Sequence, residues 1–466
     1  MKSPRNGLHP YTTAAVGLAM LIAGCAQNAP YHTSAGSPGN CQKTPTEPAC
    51  TLSYFQEYEG FDLAFAEFTE RGNAFSDRYL SDVLQRIRSK AEQDGVVLVV
   101  FVHGWKHNAD ENDENLRDFK ISLQAVAEAL KSRFRESGLG RRQLIGLYVG
   151  WRGASIEAPL LKEVTFWERK AVAEEVGRGG VTRLLLELDK ITRDREDNVM
   201  VAIGHSFGGA ILLSSVAEVL TDHAVHRTSR NRYAPTIGDG LLVLNPAIEA
   251  NQALAFVEAA IEEDYKPEQH PLFISLSSDA DSATHHLFPL GQTVGLLLTW
   301  RQADLERDYY YDRRQPGESV PLKEEHLDAT TVGNFAPFLT HRLTASDQGG
   351  EVQFSYRTCD DDPEGCEPAG WTTLSGQPAI RDLPDNYPLY FIKTNASMMK
   401  DHNDIFNPRV RSFVVAVIDD VVARNIARIR AKRALGPVAP TPSLLNDPKN
   451  FERRLRVLLD QMPAER

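Results

Sequence analysis

The chain has 466 residues, of which 42% are hydrophobic and 24% are charged, a composition typical of globular domains and sufficient for one large domain or two. Its net charge of −12 and its lack of a basic cluster argue against a nucleic-acid partner. Because no glycine-rich phosphate-binding or dinucleotide-binding motif occurs, we expect no nucleotide cofactor.

The first 24 residues have the pattern of a secretion signal. Lys2 and Arg5 precede an apolar run from Thr12 to Ala23, which is too short to span a bilayer as a mature helix. The run ends in Leu21-Ile22-Ala23-Gly24-Cys25, which resembles the lipobox of bacterial lipoproteins. The resemblance implies cleavage before Cys25, diacylation of its thiol and attachment to the cell envelope. It implies the outer membrane if the host is Gram-negative, because no Asp follows the cysteine. An ordinary secretion signal is the alternative.

Residues 25–50 are rich in Pro, Gly, Ser and Thr, which predicts a flexible tether. The four cysteines other than Cys25 fall in two short stretches, with Cys41 near Cys50 and Cys359 near Cys366. In an oxidising compartment each pair could close a small loop, so we expect disulfides, although other pairings remain open.

Residues 51–435 alternate short apolar segments with amphipathic ones, which predicts an α/β fold with a mostly parallel central sheet flanked by helices. Residues 282–386 are irregular and predict an insertion or lid, and 436–466 predict a Pro-rich linker with a terminal helix. The predicted strands are 96–102, 144–149, 199–203, 241–244, 272–276 and 389–392; the predicted helices include 77–90, 114–136, 165–176, 181–193, 252–262 and 408–433.

The stretch 199–209 matches the G-x-S-x-G nucleophile elbow at Gly204, Ser206 and Gly208. Apolar residues precede it and a helical pattern follows it, as the motif requires. Glycines at these positions let the chain turn sharply between the strand and the helix. We therefore predict that Ser206 is a nucleophile exposed at the end of a buried strand.

Polar residues follow other predicted strands as well. His103-Gly104-Trp105 follows one strand, Asp279 and Asp281 follow a second, and His402 comes shortly after a third. Because ligands bind beyond the carboxyl ends of parallel strands, we expect these side chains to meet Ser206 at one edge of the sheet.

Four stretches resemble bacterial esterase-like members of the α/β-hydrolase superfamily, and the resemblance extends over residues 96–433. They read Phe-Val-His-Gly-Trp-Lys-His-Asn-Ala at 101–109, Gly-His-Ser-Phe-Gly-Gly at 204–209, Asp-Ser-Ala-Thr at 281–284 and His-Asn-Asp-Ile at 402–405. The resemblance implies Asp281 as the acid, with Asp279 as the open alternative. By the rule of the superfamily, the oxyanion would bind the backbone N–H groups of Phe207 and Trp105.

The chemistry of a serine nucleophile requires a neutral imidazole as base, and we choose His402. His341 and the pair His285-His286 are alternatives, whereas His205 is expected to point away from the serine hydroxyl. Asp404 is expected to be a helix-entry residue.

Two further groups of residues have alternative interpretations. No metal is expected, because His103, His107, Asp110 and Glu111 do not form a metal-binding motif.

Phe166, Trp167 and the run Tyr309-Tyr310-Tyr311 could line an acyl pocket or could belong to the core.

Together these patterns predict a serine hydrolase that cleaves carboxylic esters or related acyl bonds through an acyl-enzyme. Its substrate would be a small acyl ester or a lipid-like molecule. The alternative is a non-catalytic binding or envelope-assembly lipoprotein that keeps the hydrolase fold.

Overall fold

The computed structural model describes residues 29–36, 52–137, 140–153, 162–225, 237–261, 263, 265, 266, 269–289, 306–310, 319–346, 351–356, 383, 384, 386–433 and 442–462. The predicted signal segment and all five cysteines lie outside these ranges, as do Tyr311 and the side chains of the other four aromatics proposed for an acyl pocket. No helix in these ranges is both long enough and apolar enough to cross a bilayer.

The described strands are β1 (Phe55–Glu57), β2 (Asp62–Glu67), β3 (Val96–Val102), β4 (Gln143–Gly150), β5 (Val199–His205), β6 (Gly240–Leu244), β7 (Phe273–Ser278), β8 (Glu306–Tyr310), β9 (Ser319–Lys323), β10 (His341–Ala345), β11 (Val352–Tyr356) and β12 (Leu389–Thr394). The described α-helices are α1 (Asp77–Gln93), α2 (Glu114–Ser137), α3 (Lys162–Val176), α4 (Thr182–Arg193), α5 (Phe207–Val225), α6 (Asn251–Ile261), α7 (Glu324–Ala329), α8 (Pro408–Arg433) and α9 (Pro448–Gln461).

A ten-stranded sheet crosses the domain in the order β1-β2-β4-β3-β5-β6-β7-β12-β10-β11. Every neighbouring pair from β2 to β10 is parallel, and the edge strands β1 and β11 are antiparallel to their neighbours. The predicted mostly parallel sheet with flanking helices is therefore confirmed.

Strand β3 contributes side chains to two hydrophobic cores, one on each face of the sheet. All seven of its residues are buried, as expected for a parallel strand covered on both faces. Val96, Leu98 and Val100 pack with α1, α4 and α5, whereas Val97, Val99 and Phe101 pack with α2, α8 and α9. The two-residue period of the strand thus sends alternate side chains into opposite layers.

The structure describes parts of two regions for which the sequence predicts an insertion and a tether. Within the described part of 282–386, strands β10 and β11 belong to the main sheet, and the hairpin β8-β9 forms a separate two-stranded sheet. The sequence of β10 alternates buried and half-buried residues and does not resemble the apolar runs of the central strands, because β10 lies next to the edge strand β11.

The second region is the predicted tether, of which residues 29–36 are described and pack against the domain. The carboxylate of Glu67 accepts hydrogen bonds from the backbone N–H groups of Tyr31 and His32, both 2.8 Å long. The His32 ring is buried and stacks on Phe65. Hydrogen bonds to Glu67 and the stacking of His32 on Phe65 thus fix a segment whose composition alone predicts a flexible chain.

Candidate active site

Ser206 lies at the sharp turn between β5 and α5. Its φ of 54° is in the left-handed region, which a residue other than glycine rarely adopts. Such backbone strain clusters at functional sites.

Two neighbouring glycines make this turn feasible. A Cβ on Gly208 would lie 2.0 Å from the carbonyl oxygen of Val102, and one on Gly204 would lie 2.5 Å from that of Gly208. The backbone of the turn therefore packs directly against the end of β3, which explains the G-x-S-x-G spacing.

The structure brings Ser206, His402 and Asp281 together. Oγ of Ser206 lies 2.7 Å from Nε2 of His402, and Nδ1 of the same ring lies 2.8 Å from Oδ2 of Asp281. Ser206 and Asp281 are buried, whereas the His402 side chain keeps 19% of its surface exposed. The three side chains form one continuous hydrogen-bonded line at the carboxyl ends of the strands.

Of the two candidate acids, it is Asp281 that contacts His402. Burial opposes ionisation of Asp281, but hydrogen bonds from His402 and Thr284 outweigh it, so the pKa of this carboxyl lies below its usual value. The side chain of Asp279 is 44% exposed and pairs instead with Lys393 and Arg342, at 3.4 and 3.5 Å.

The loop that carries His402 is held by residues that the sequence patterns did not identify. Nδ2 of Asn245 donates to the carbonyl oxygen of His402 at 3.1 Å, and Oδ1 of Asn245 accepts from the N–H of Ser278. Oγ of Ser278 donates to the carbonyl oxygen of Met399 at 2.6 Å. Asn245 directly follows β6, so its place at a strand end was the available signal.

His205 points away from the Ser206 hydroxyl, as predicted. Its Nε2 donates to the carbonyl oxygen of His402 at 2.9 Å. Burial lowers the pKa of His205 well below its usual value, so the ring is neutral. This histidine therefore joins the serine turn to the His402 loop.

The two segments that carry the predicted oxyanion-binding groups lie at the serine turn. Phe207 is the first residue of α5, where N–H groups point out of the N-terminal end of the helix. Trp105 follows Gly104, on which a Cβ would lie 2.9 Å from Cβ of Ser206. The loop after β3 therefore runs against the serine turn.

His103 anchors this loop. Its Nε2 accepts a hydrogen bond from the backbone N–H of Trp151 at 3.1 Å, and its carbonyl oxygen accepts one from Nε1 of the Trp151 indole at 2.9 Å. Burial lowers the pKa of His103 to about 4, which keeps the ring neutral and able to accept. His103 thus ties the end of β3 to the end of β4.

The alternative bases and the conceivable metal ligands have other partners. His341 lies in β10 and bonds to the hydroxyl of Thr340, and His285 bonds to Lys393. Asp404 accepts from the N–H of Lys400, just before α8. Other contacts occupy His107, which bonds to Asp113; Asp110, which bonds to Asn112; and Glu111, which bonds to Lys120.

The sheet order and the flanking helices define an α/β fold with a mostly parallel central sheet, and the serine turn lies at the carboxyl end of β5. No protein-family model and no curated protein matches the chain. Among solved structures, it is similar to the phospholipase PlaB from Legionella pneumophila in complex with thio-NAD, with 13% identity, a TM-score of 0.27 and coverage of 78% of this chain. The match spans 62% of the phospholipase chain. A likeness this distant assigns no substrate.

Proposed function

We propose that this protein is a serine hydrolase that cleaves carboxylic esters or related acyl bonds. The proposal rests on the hydrogen-bonded line from Ser206 through His402 to Asp281. A serine hydroxyl is a weak nucleophile at neutral pH, and an adjacent imidazole oriented by a carboxylate is the arrangement that activates it.

In the proposed reaction, Oγ of Ser206 attacks the acyl carbon while Nε2 of His402 takes the hydroxyl proton. The negative charge that develops on the acyl oxygen is stabilised by the backbone N–H groups of Phe207 and Trp105. His402 then protonates the leaving group, and an acyl-enzyme remains on Ser206. Water, deprotonated by His402, releases the acid. Asp281 stabilises the imidazolium through Nδ1 in both halves of the reaction.

Hydrolysis of p-nitrophenyl butyrate and labelling by a fluorophosphonate test this proposal. We expect the wild type to hydrolyse the ester and to carry the label on Ser206, and Ser206→Ala to lose both. Ser214→Ala, in the same helix but outside the hydrogen-bonded line, is the matched control. A folded wild type that is not labelled would instead support a non-catalytic envelope lipoprotein.

We also propose that the protein acts on lipid-like esters at a membrane. Tyr31 and His32 bind Glu67 at the carboxyl end of β2, the same edge of the sheet that carries Ser206. Cys25 precedes Ala29 by four residues, which span at most about 14 Å. An acylated Cys25 would therefore keep this edge close to the bilayer.

The anchor is tested by metabolic labelling with a fatty-acid analogue and by membrane fractionation. We expect the wild type to be labelled and sedimented with membranes, and Cys25→Ser to be neither. Equal fractionation of the two proteins would refute the anchor and leave the proposed hydrolase chemistry intact.

A further inference from the structure

A buried lysine lies behind Asp281. Lys393, in β12, is 4% exposed, and burial lowers its pKa to about 8. Its Nζ lies 2.9 Å from Nε2 of His285 and 3.4 Å from Oδ1 of Asp279, and it also donates to Oδ1 of Asn334. An ammonium group has three protons, and these three acceptors match them.

From this lysine a hydrogen-bonded chain leads to Asp281. Nδ2 of Asn334 donates to Oγ1 of Thr284 at 3.0 Å, and that hydroxyl donates to Oδ2 of Asp281 at 2.7 Å. The same carboxylate oxygen accepts from Nδ1 of His402. Lys393 is therefore connected to the imidazole through Asn334, Thr284 and Asp281.

The chemistry of the groups fixes the direction of this chain. An ammonium can only donate, so the amide of Asn334 must turn its oxygen to Lys393 and its NH₂ to Thr284. The Thr284 hydroxyl then accepts from the amide, and its own proton is left for Asp281. Without the ammonium, the amide could rotate by half a turn, and the hydroxyl could donate to Asn334 instead.

We propose that Lys393 is a positioning residue that acts through Asn334 and Thr284 to direct the Thr284 hydroxyl at Asp281 and so to orient this carboxylate toward His402. The proposal rests on the proposed hydrolase function and adds a residue to it. Since the three residues would act through Asp281, their loss should lower kcat for p-nitrophenyl butyrate and leave KM unchanged.

The central experiment is a double-mutant cycle in the full chain. Lys393→Met keeps the aliphatic stem, and Asn334→Leu removes the amide. We expect each to lower kcat by roughly tenfold, the effect of one charge-assisted hydrogen bond, and the double variant to be no slower than the slower single variant. Lys170→Met removes another buried lysine, paired with Glu249 at 2.7 Å, and should leave kcat within about twofold.

The pH profile gives a readout that a merely structural role would not change. Asp279, His285, Arg342 and Asp281 are the charged or titratable groups around Lys393. Deprotonation of Lys393 removes its charge and leaves a lone pair that can accept a hydrogen bond, so the orientation of the Asn334 amide is no longer fixed. Wild-type kcat should therefore fall as pH rises through about 8. Lys393→Met should be slower at neutral pH and should lack this fall.

Thr284 provides a second test if Lys393→Met does not fold. Thr284→Ser keeps the hydroxyl and should retain kcat, whereas Thr284→Val should lose roughly tenfold. The proposal would be overturned if folded Lys393→Met and Asn334→Leu kept the kcat of the wild type. It would also be overturned if their effects multiplied in the double variant, or if Thr284→Ser and Thr284→Val had equal kcat. In those cases the wild type would still be labelled at Ser206, whereas failure of the hydrolase function would abolish labelling.

Discussion

His205 donates a hydrogen bond from Nε2 to the carbonyl oxygen of His402, 2.9 Å away. The residue before the proposed nucleophile thus holds the backbone of the proposed base. Nδ2 of Asn245 donates to the same oxygen at 3.1 Å. The distance between Ser206 and His402 therefore depends on the backbone of the loop as well as on their own hydrogen bond.

Removing the His205 donor should loosen this connection. We expect His205→Leu to lower kcat by about 10- to 100-fold, because a displaced imidazole loses its alignment with Ser206. His205→Gln places an amide donor near the position of Nε2 and should recover most of the loss. The measurement is kcat for p-nitrophenyl butyrate with the rate of fluorophosphonate labelling. Equal rates in the Leu variant and the wild type would contradict this role.

A matched pair of variants distinguishes the two candidate acids. Asp281→Asn should lower kcat on the order of 10³- to 10⁴-fold, because a neutral amide cannot stabilise the imidazolium or hold its tautomer. Asp279→Asn should lower kcat by less than about tenfold, since this carboxylate bonds to Lys393 and not to His402. A larger loss of kcat in Asp279→Asn than in Asp281→Asn would contradict the assignment of Asp281 as the acid.

The glycine at the start of α5 is required by its packing. Gly208→Ala should destabilise the fold by about 3 kcal/mol, because the new methyl group would lie 2.0 Å from the carbonyl oxygen of Val102. Gly240→Ala is the control, since its nearest new neighbour would be Val421 at 3.8 Å. Urea unfolding measures both. Similar midpoints for the two variants would show that the turn can relax.

Buried neutral histidines should make the fold sensitive to acid. Burial lowers the pKa from 6.5 to about 4 for His103 and to about 3 for His341. Below pH 6.5 the unfolded chain therefore binds protons that the folded chain does not. Each histidine should then reduce the free energy of unfolding by about 1.4 kcal/mol per pH unit until the pH reaches its folded pKa.

Urea unfolding between pH 7.5 and 4.5 measures this dependence. His341→Phe removes one of these titrations and should make stability fall less steeply between pH 6.5 and 4.5. An unchanged slope in this variant would show that His341 takes up its proton in the folded state.

Much of the fold follows from local patterns in the sequence. The seven apolar residues of β3 predict a strand buried on both faces, and the glycines at 204 and 208 predict a tight turn at Ser206. Strand ends in a parallel sheet meet at one edge, so the approximate meeting place of Ser206, the acid loop and His402 was also predictable. These features depend on residue type and spacing along a single segment.

The direction of each loop side chain was decided only by the tertiary structure. Asp279 and Asp281 are two residues apart on one loop, yet the first pairs with Lys393 and the second with His402, because the N–H groups of Ala283 and Thr284 hold the Asp281 carboxylate inward. The roles of Asn245 and Lys393 likewise depend on partners more than 50 residues away in the chain. Periodicity identifies the buried face of a strand or helix, whereas hydrogen bonds between distant segments determine where a loop side chain points.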